Sequence, residues 1–371
     1  MTTSPNDRSD TGGLAEVVGR AMVVGTGLIG GSVARALRAR GWHVSGRDAD
    51  SARAEEALAA GVLDAVGHDP EADLVVIATP FAAVIEESLA ALAGPLAAGA
   101  VVTDVAGVKA PVTDAIGHPR FVGGHPMAGS EQAGLSGADP DLFVGTTWVL
   151  TPTSSTAPDA YARVRHVAAS LGAEVLALAP EQHDTLVAVV SHVPHLTAAT
   201  LMNRADAVAA EHAALLRLAA GGFRDMTRVA AGTPTIWPDV CAENSPAIVA
   251  AFDALLDDLT AMRDLVASGD RAGLLGVLDR AAAARRSLPS RAVRPDRLAV
   301  VRVPVPDRTG VLADITTLAG DLGIDIADLE IAHSAEGDRG VLLVVVDSDA
   351  AQHLQRALGD RGFRSTVTPL A

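Results

Sequence analysis

Arg20-Ala21-Met22-Val23-Val24-Gly25-Thr26-Gly27-Leu28-Ile29-Gly30-Gly31 is the stretch that decides the fold. Four apolar residues run into a GxGxxG turn, and an Ala- and Leu-rich segment of helix length follows it. Gly25 permits the tight turn, Gly27 lets backbone approach a pyrophosphate, and Gly30 allows the helix to pack closely on the strand. The helix start directs N–H donors and the positive end of its dipole at the same spot. Strand, turn and helix in the first βαβ unit predict a dinucleotide site on Gly25, Thr26, Gly27, Leu28, Ile29 and Gly30.

The second apolar run, His43-Val44-Ser45-Gly46, ends at Arg47-Asp48. A carboxylate at Asp48 accepts hydrogen bonds from the adenosine ribose and repels a 2′-phosphate, which favours NAD over NADP. Arg47 pulls the other way, because its guanidinium could stack on adenine or meet a 2′-phosphate. Thr79 and Pro80, just after Leu74-Val75-Val76-Ile77-Ala78, are further expected cofactor contacts. The runs Val101–Thr103, Thr147–Leu150 and Ala173–Leu178 continue the alternation with helical segments, the pattern of a doubly wound, mostly parallel sheet. This predicts a Rossmann-type domain over 20–179, preceded by a flexible tail, 1–19.

From Pro180 to Arg286 the β signal stops, and an all-helical domain over 180–286 is expected to form a homodimer interface and one wall of the site. A Pro- and Arg-rich linker, 287–296, follows. Beyond it, β (Leu298–Val303), α (Gly310–Leu322), β (Ile324–Ala332), β (Gly340–Val346), α (Ala350–Leu358) and β (Arg364–Thr368) give the βαββαβ order of a ferredoxin-like domain over 297–371.

Composition limits the partners. The chain has 371 residues, 49% of them hydrophobic, enough for several packed cores. Its net charge of −16 argues against nucleic acid and against an anionic membrane. No apolar run reads as a signal peptide or a clean span. The single cysteine, Cys241, cannot close an intrachain disulfide, which fits a reducing cytoplasm. Lys109 is the single lysine in a chain that otherwise uses arginine, and its retention points to a site role.

Three segments gather chemistry where strand ends of such a sheet face a ligand. They are Thr103-Asp104-Val105-Ala106-Gly107-Val108-Lys109, then Gly123-Gly124-His125-Pro126-Met127-Ala128-Gly129-Ser130-Glu131, and a helical set. The helical set holds His183-Asp184, Ser191-His192-Val193-Pro194-His195, Phe223-Arg224-Asp225-Met226-Thr227-Arg228 and Trp237. An imidazole titrating near pH 6.5 can accept a proton at neutral pH, and Pro126 stiffens the segment that holds His125. His192 and His195 share a helix face, with Pro194 kinking the helix between them. No third ligand has convincing spacing, so no metal is expected. Asp184 either orients one of these histidines or caps a helix.

Together these motifs resemble the prephenate/arogenate dehydrogenase family of tyrosine biosynthesis, from about Arg20 to Leu265. The resemblance implies NAD-dependent oxidative decarboxylation of prephenate to 4-hydroxyphenylpyruvate. The alternatives are conversion of arogenate to tyrosine and a non-catalytic sensor of NAD and an amino acid. It implies His125 as the base, Arg228 for the ring carboxylate, His195 facing the substrate side chain and His192 supporting it. Lys109 would be a site cation, Glu131 would stand at the mouth, and Trp237 and Ser130 would line the pocket. One departure stands out. The family usually has a serine two residues before the lysine, touching substrate and catalytic histidine, where this chain has Gly107. Either water or a hydroxyl such as Ser130 replaces it, or His125 is held more loosely. The C-terminal unit resembles an ACT domain. Its turn Asp307, Gly310, Val311 and Leu312 would bind the carboxylate of an amino-acid effector such as tyrosine.

Overall fold

The structure, a computed structural model, describes residues 19–130, 132, 134–210, 212, 214–287, 298–306, 310–333 and 339–369. The expected tail and linker therefore fall almost wholly outside the described residues. The chain divides into two compact units. One runs to Leu186 and includes Pro234–Ser245, and the other comprises Val187–Thr233 and the chain from Pro246 onward.

In the first unit the chain runs β1 (Arg20–Val24), α1 (Leu28–Ala39), β2 (His43–Arg47), α2 (Ser51–Ala59), β3 (Ala65–Val66), β4 (Leu74–Ile77), α3 (Phe81–Ala93), β5 (Val101–Asp104) and α4 (Ala110–Ile116). It continues through β6 (Phe121–Pro126), β7 (Thr147–Thr151), α5 (Pro158–Ser170), β8 (Glu174–Ala177) and α6 (Pro180–Val187). The sheet order is β3-β2-β1-β4-β5-β6-β7-β8. β1 sits where the order reverses, so its carboxyl end opens on the crevice in which such sheets bind ligands. β4 and β5 are buried along their whole length, as strands covered on both faces must be.

The sheet is mostly parallel, as expected, with one antiparallel pair between β6 and β7. One feature departs from the sequence expectation. The Gly-Gly-His-Pro segment, expected to follow a strand, is itself part of β6, and His125 lies within it. Its glycines are required by crowding. A Cβ on Gly123 would fall 2.4 Å from Thr151 Oγ1, and one on Gly124 would fall 2.6 Å from the Asp104 carbonyl oxygen.

The second unit begins with a π-helical turn, Ala188–His192, and α7 (Val193–Ala209), then α8 (Gly221–Thr227). Pro194 lies in the first turn of α7, just after the π-helical turn, where its missing N–H costs little. α9 (Trp237–Glu243) belongs to the first unit, where it packs on α3. α10 (Ser245–Ser268) buries only Ile248, and α11 (Arg271–Arg286) buries nothing. Leu256, Leu259, Val266, Leu275 and Leu278 on these helices are each more than half exposed.

Farther on lie β9 (Leu298–Pro306), α12 (Val311–Asp321), β10 (Ile326–His333), β11 (Arg339–Asp347), α13 (Ser348–Asp360) and β12 (Thr366–Pro369). They form an antiparallel sheet of order β10-β11-β9-β12. Alternate residues Val301, Val303, Val305, Leu342, Val344 and Val346 pack against Ile315, Leu318, Leu354 and Leu358 of α12 and α13.

Candidate active site

The glycine turn has the geometry of a dinucleotide cradle. Gly25 has φ +96°, a left-handed conformation that favours glycine. A Cβ on Gly30 would fall 1.9 Å from the Gly25 carbonyl oxygen, so α1 sits directly on the turn. No atom lies within 4 Å of where a Gly27 Cβ would project, and no side chain caps α1. Its first N–H groups therefore remain for a ligand. Thr79 Oγ1, just beyond β4, is buried with no hydrogen-bond partner among the described residues, as a cofactor-facing hydroxyl would be. These residues fit a dinucleotide. Ile29 also packs on the core.

Asp48 Oδ2 accepts from the Thr26 N–H at 2.8 Å and from its hydroxyl at 3.1 Å, and Oδ1 accepts from the Asp50 N–H at 3.0 Å. Burial alone would raise the Asp48 pKa. Those hydrogen bonds and the nearby Arg53 charge outweigh it and hold the carboxyl below its usual range.

The second cluster is centred on β5, β6 and the start of α6. His125 Nδ1 lies 2.9 Å from His183 Nε2, and His183 Nδ1 lies 2.7 Å from Asp184 Oδ1. The Asp184 carboxylate also accepts the N–H groups of Lys109 and Ala110, each at 2.8 Å, capping α4. Asn244 Nδ2 donates to the Asp184 carbonyl at 2.9 Å. With both rings neutral, the network selects one pair of tautomers. A carboxylate can only accept, so His183 Nδ1 carries the proton and its Nε2 accepts from His125 Nδ1–H. The basic lone pair of His125 is thereby placed on Nε2.

Sequence similarity gives the cluster its family. The model of the prephenate dehydrogenase nucleotide-binding domain matches residues 33–177, and that of the prephenate dehydrogenase dimerization domain matches 179–280. Prephenate dehydrogenase of Bacillus subtilis (strain 168) is 32% identical over 349 residues, covering 88% of this chain and 92% of that protein. The chain belongs to the prephenate dehydrogenase family. The crystal structure of Synechocystis arogenate dehydrogenase is similar with TM-score 0.63 and 32% identity, covering 72% of this chain and 98% of that one. That of A. aeolicus prephenate dehydrogenase, in complex with hydroxyphenyl propionate and NAD+, is similar with TM-score 0.67 and 28% identity, covering 73% and 99%.

Against that family pattern, several candidates stand differently from expectation. Lys109 is not an open cation. It is fully buried, its ammonium bonded to the Asp104 carboxylate and, at 2.8 Å, to the Gly124 carbonyl. Burial pushes its pKa below the usual lysine range, while Asp104 and Asp184 pull it back up. Its position, beside the residue preceding His125, is that of a brace. Arg47 is held by Glu87 through both guanidinium nitrogens, one of them at 3.2 Å, so it is engaged within the protein. Ser130 is exposed, and its Oγ accepts from the Gln132 N–H at 3.1 Å, a local turn. Glu131 and Asp307 lie outside the described residues. Trp237 is half-buried at the start of α9.

Within the second unit, a Cβ on Gly232 would fall 3.7 Å from His195 Cε1. His195 thus borders the turn Arg228–Ala231, whose Arg228 is exposed. Burial lowers the His195 pKa from 6.5. His192 is buried. Among the described residues no group of histidine, cysteine and acidic side chains could hold a metal. Sequence reading placed His183 in the helical set but gave it no role. The adjacent His-Asp pair at a helix start was the available signal.

Proposed function

We propose that this chain is an NAD-dependent prephenate dehydrogenase, catalysing oxidative decarboxylation of prephenate to 4-hydroxyphenylpyruvate. The observation that carries it is the buried Asp184–His183 pair holding His125 in one tautomer. When bound, NAD+ supplies the hydride acceptor. His125 Nε2 takes the proton of the ring hydroxyl as that carbon gives up its hydride. The ring carboxylate leaves as carbon dioxide with its bonding pair completing the aromatic ring, and the proton returns to the phenolate oxygen. His183 and Asp184 stabilise the imidazolium formed in between. Asp48 accepts the ribose hydroxyls and excludes a 2′-phosphate. Arg228 binds the ring carboxylate and His195 the side chain, roles that rest on the family resemblance.

Similarity to an arogenate dehydrogenase supports a second substrate reading, in which an amino group replaces the keto oxygen. Assay of both substrates with both cofactors decides between them. Prephenate with NAD+ is expected to give the highest kcat/KM. No turnover of either substrate would refute the dehydrogenase reading and favour a sensor. With His125→Asn, kcat should fall at least about a hundredfold with NADH binding retained. Undiminished turnover would remove the base assignment.

The exposed leucines of α10 and α11, within the match to a dimerization domain, support a homodimer. The stretch Pro180–Ala209 is apolar and long enough to cross a membrane by length and composition alone. It lies wholly within the same match, and we read it as an interface helix of a cytoplasmic enzyme. The βαββαβ order and sheet of the C-terminal domain support an ACT-like module. Gly310 (φ +92°) opens α12, Val311 is buried and Leu312 exposed, and this turn is our candidate for an amino-acid effector. If tyrosine changes neither activity nor thermal stability, the effector role is wrong.

A further inference from the structure

A turn that binds NAD in preference to NADP has two tasks: to hold the ribose hydroxyls and to deny a 2′-phosphate any cation. Asp48 suits the first, but Arg47 beside it would defeat the second if its guanidinium were available. Arg47 is the last residue of β2. It stands in register with Val24, and its carbonyl accepts the Gly25 N–H at 2.8 Å. Asp48 is tied to Thr26 on the same turn. The pair is thus anchored to the turn where the adenosine ribose is expected.

The Arg47 guanidinium, however, is clamped in a two-pronged ion pair by Glu87. Glu87 lies on α3, after β4, and Arg47 ends β2. These strands flank β1 on its two sides. The side chains are 36% and 25% exposed, so the pair is less screened than one in open solvent. A guanidinium engaged through both terminal nitrogens by a carboxylate has that edge filled and its charge neutralised, which weakens its grip on a phosphate.

We propose that Glu87 is a cofactor-specificity residue, which by holding Arg47 denies the site a cation for a 2′-phosphorylated dinucleotide. The inference rests on the NAD reading of the glycine turn. Two carboxylates then divide the selection: Asp48 repels the 2′-phosphate directly, and Glu87 occupies the arginine that would compensate.

The test is direct binding without substrate. Dissociation constants for NADH and NADPH are read from cofactor fluorescence in the full chain, with 2′,5′-ADP as a competing probe. Glu87→Gln should tighten NADPH and 2′,5′-ADP about fivefold and leave NADH within about twofold, with an unchanged urea midpoint. Glu87→Gln with Asp48→Asn should favour NADPH further. Glu87→Gln with Arg47→Ala should abolish the gain. An NADPH constant unmoved by Glu87→Gln would overturn the proposal. A gain that persists without Arg47 would also overturn it, because Glu87 would then act by simple repulsion. Failure of the unmodified chain to bind NADH would instead remove the NAD reading, and this inference with it.

Discussion

Replacing Lys109 by methionine tests whether a buried ion pair braces the strand that carries His125. Methionine keeps the alkyl stem and removes the ammonium. Asp104 would retain the N–H groups of Gly124 and Ala106, each at 3.0 Å, but lose its counter-ion, while the Gly124 carbonyl would lose a donor. Breaking a buried pair from one side costs about 3–5 kcal/mol, and an orphaned carbonyl adds about 1–3 kcal/mol. With a urea slope of about 1–3 kcal/mol/M, the Lys109→Met midpoint should fall by about 1 M or more. Lys109→Met with Asp104→Asn leaves no uncompensated charge. Its loss should undercut the sum of the two single losses by about 1–3 kcal/mol. Tryptophan fluorescence follows the unfolding, since Trp42 and Trp148 lie in the same core cluster. Below the unfolding range Lys109→Met should lower kcat, through displacement of Gly124 and His125, with prephenate KM moved less than about threefold. A midpoint loss equivalent to under about 1 kcal/mol, additive losses, or a large rise in KM at unchanged stability would refute the brace and restore a substrate-binding role.

Because Lys109 is the single lysine, amine acylation under native conditions should modify the N-terminus alone, with a second adduct appearing only in denaturant. Mass spectrometry of intact protein counts the adducts, and rapid native double labelling would contradict full burial. His183→Leu should reduce kcat by about a hundredfold, and His183→Gln should recover part of the loss, because its amide oxygen can accept from His125 Nδ1–H. Equal losses in the two variants would sink the tautomer argument. His195 should titrate below 6.5 by NMR, in the direction set by its burial. The unfolded chain takes this proton near pH 6.5 while the folded imidazole refuses it until lower pH, so stability falls as pH drops through that window. His195→Asn should flatten that part of the stability profile, and an unchanged profile would assign the slope to other groups.

The glycine turn was legible in the sequence because its constraints are local. Gly25 must adopt positive φ, and Gly30 must let backbone touch backbone within five residues. The C-terminal domain was legible because period-two alternation in β9 and β11 matches a sheet with one face buried. β6 was harder to see. Two glycines and a proline are poor strand formers, and only contacts from Thr151 on the neighbouring strand and from the Asp104 carbonyl explain why nothing larger fits. The arginine bias marked Lys109 as unusual but could not say that it is buried. That depends on a carboxylate five residues earlier and a carbonyl fifteen residues later, which a sequence does not place in one plane.

The same distinction explains how the chain manages without the serine its resemblance leads one to expect. A Cβ on Gly107 would lie 3.7 Å from His125 Nε2, so a hydroxyl there would address the nitrogen proposed to take the proton. In this chain the ring is held instead from Nδ1, by His183, whose own orientation comes from Asp184. Asp184 is fixed in turn by two backbone N–H groups at the start of α4 and by Asn244. Each link crosses from one element to another, 58 residues apart for the histidine pair and 75 for Lys109 to Asp184. A loop hydroxyl would supply one hydrogen bond on the reactive side. The buried pair holds the ring from Nδ1, and we propose that this positions the base without a hydroxyl at Gly107.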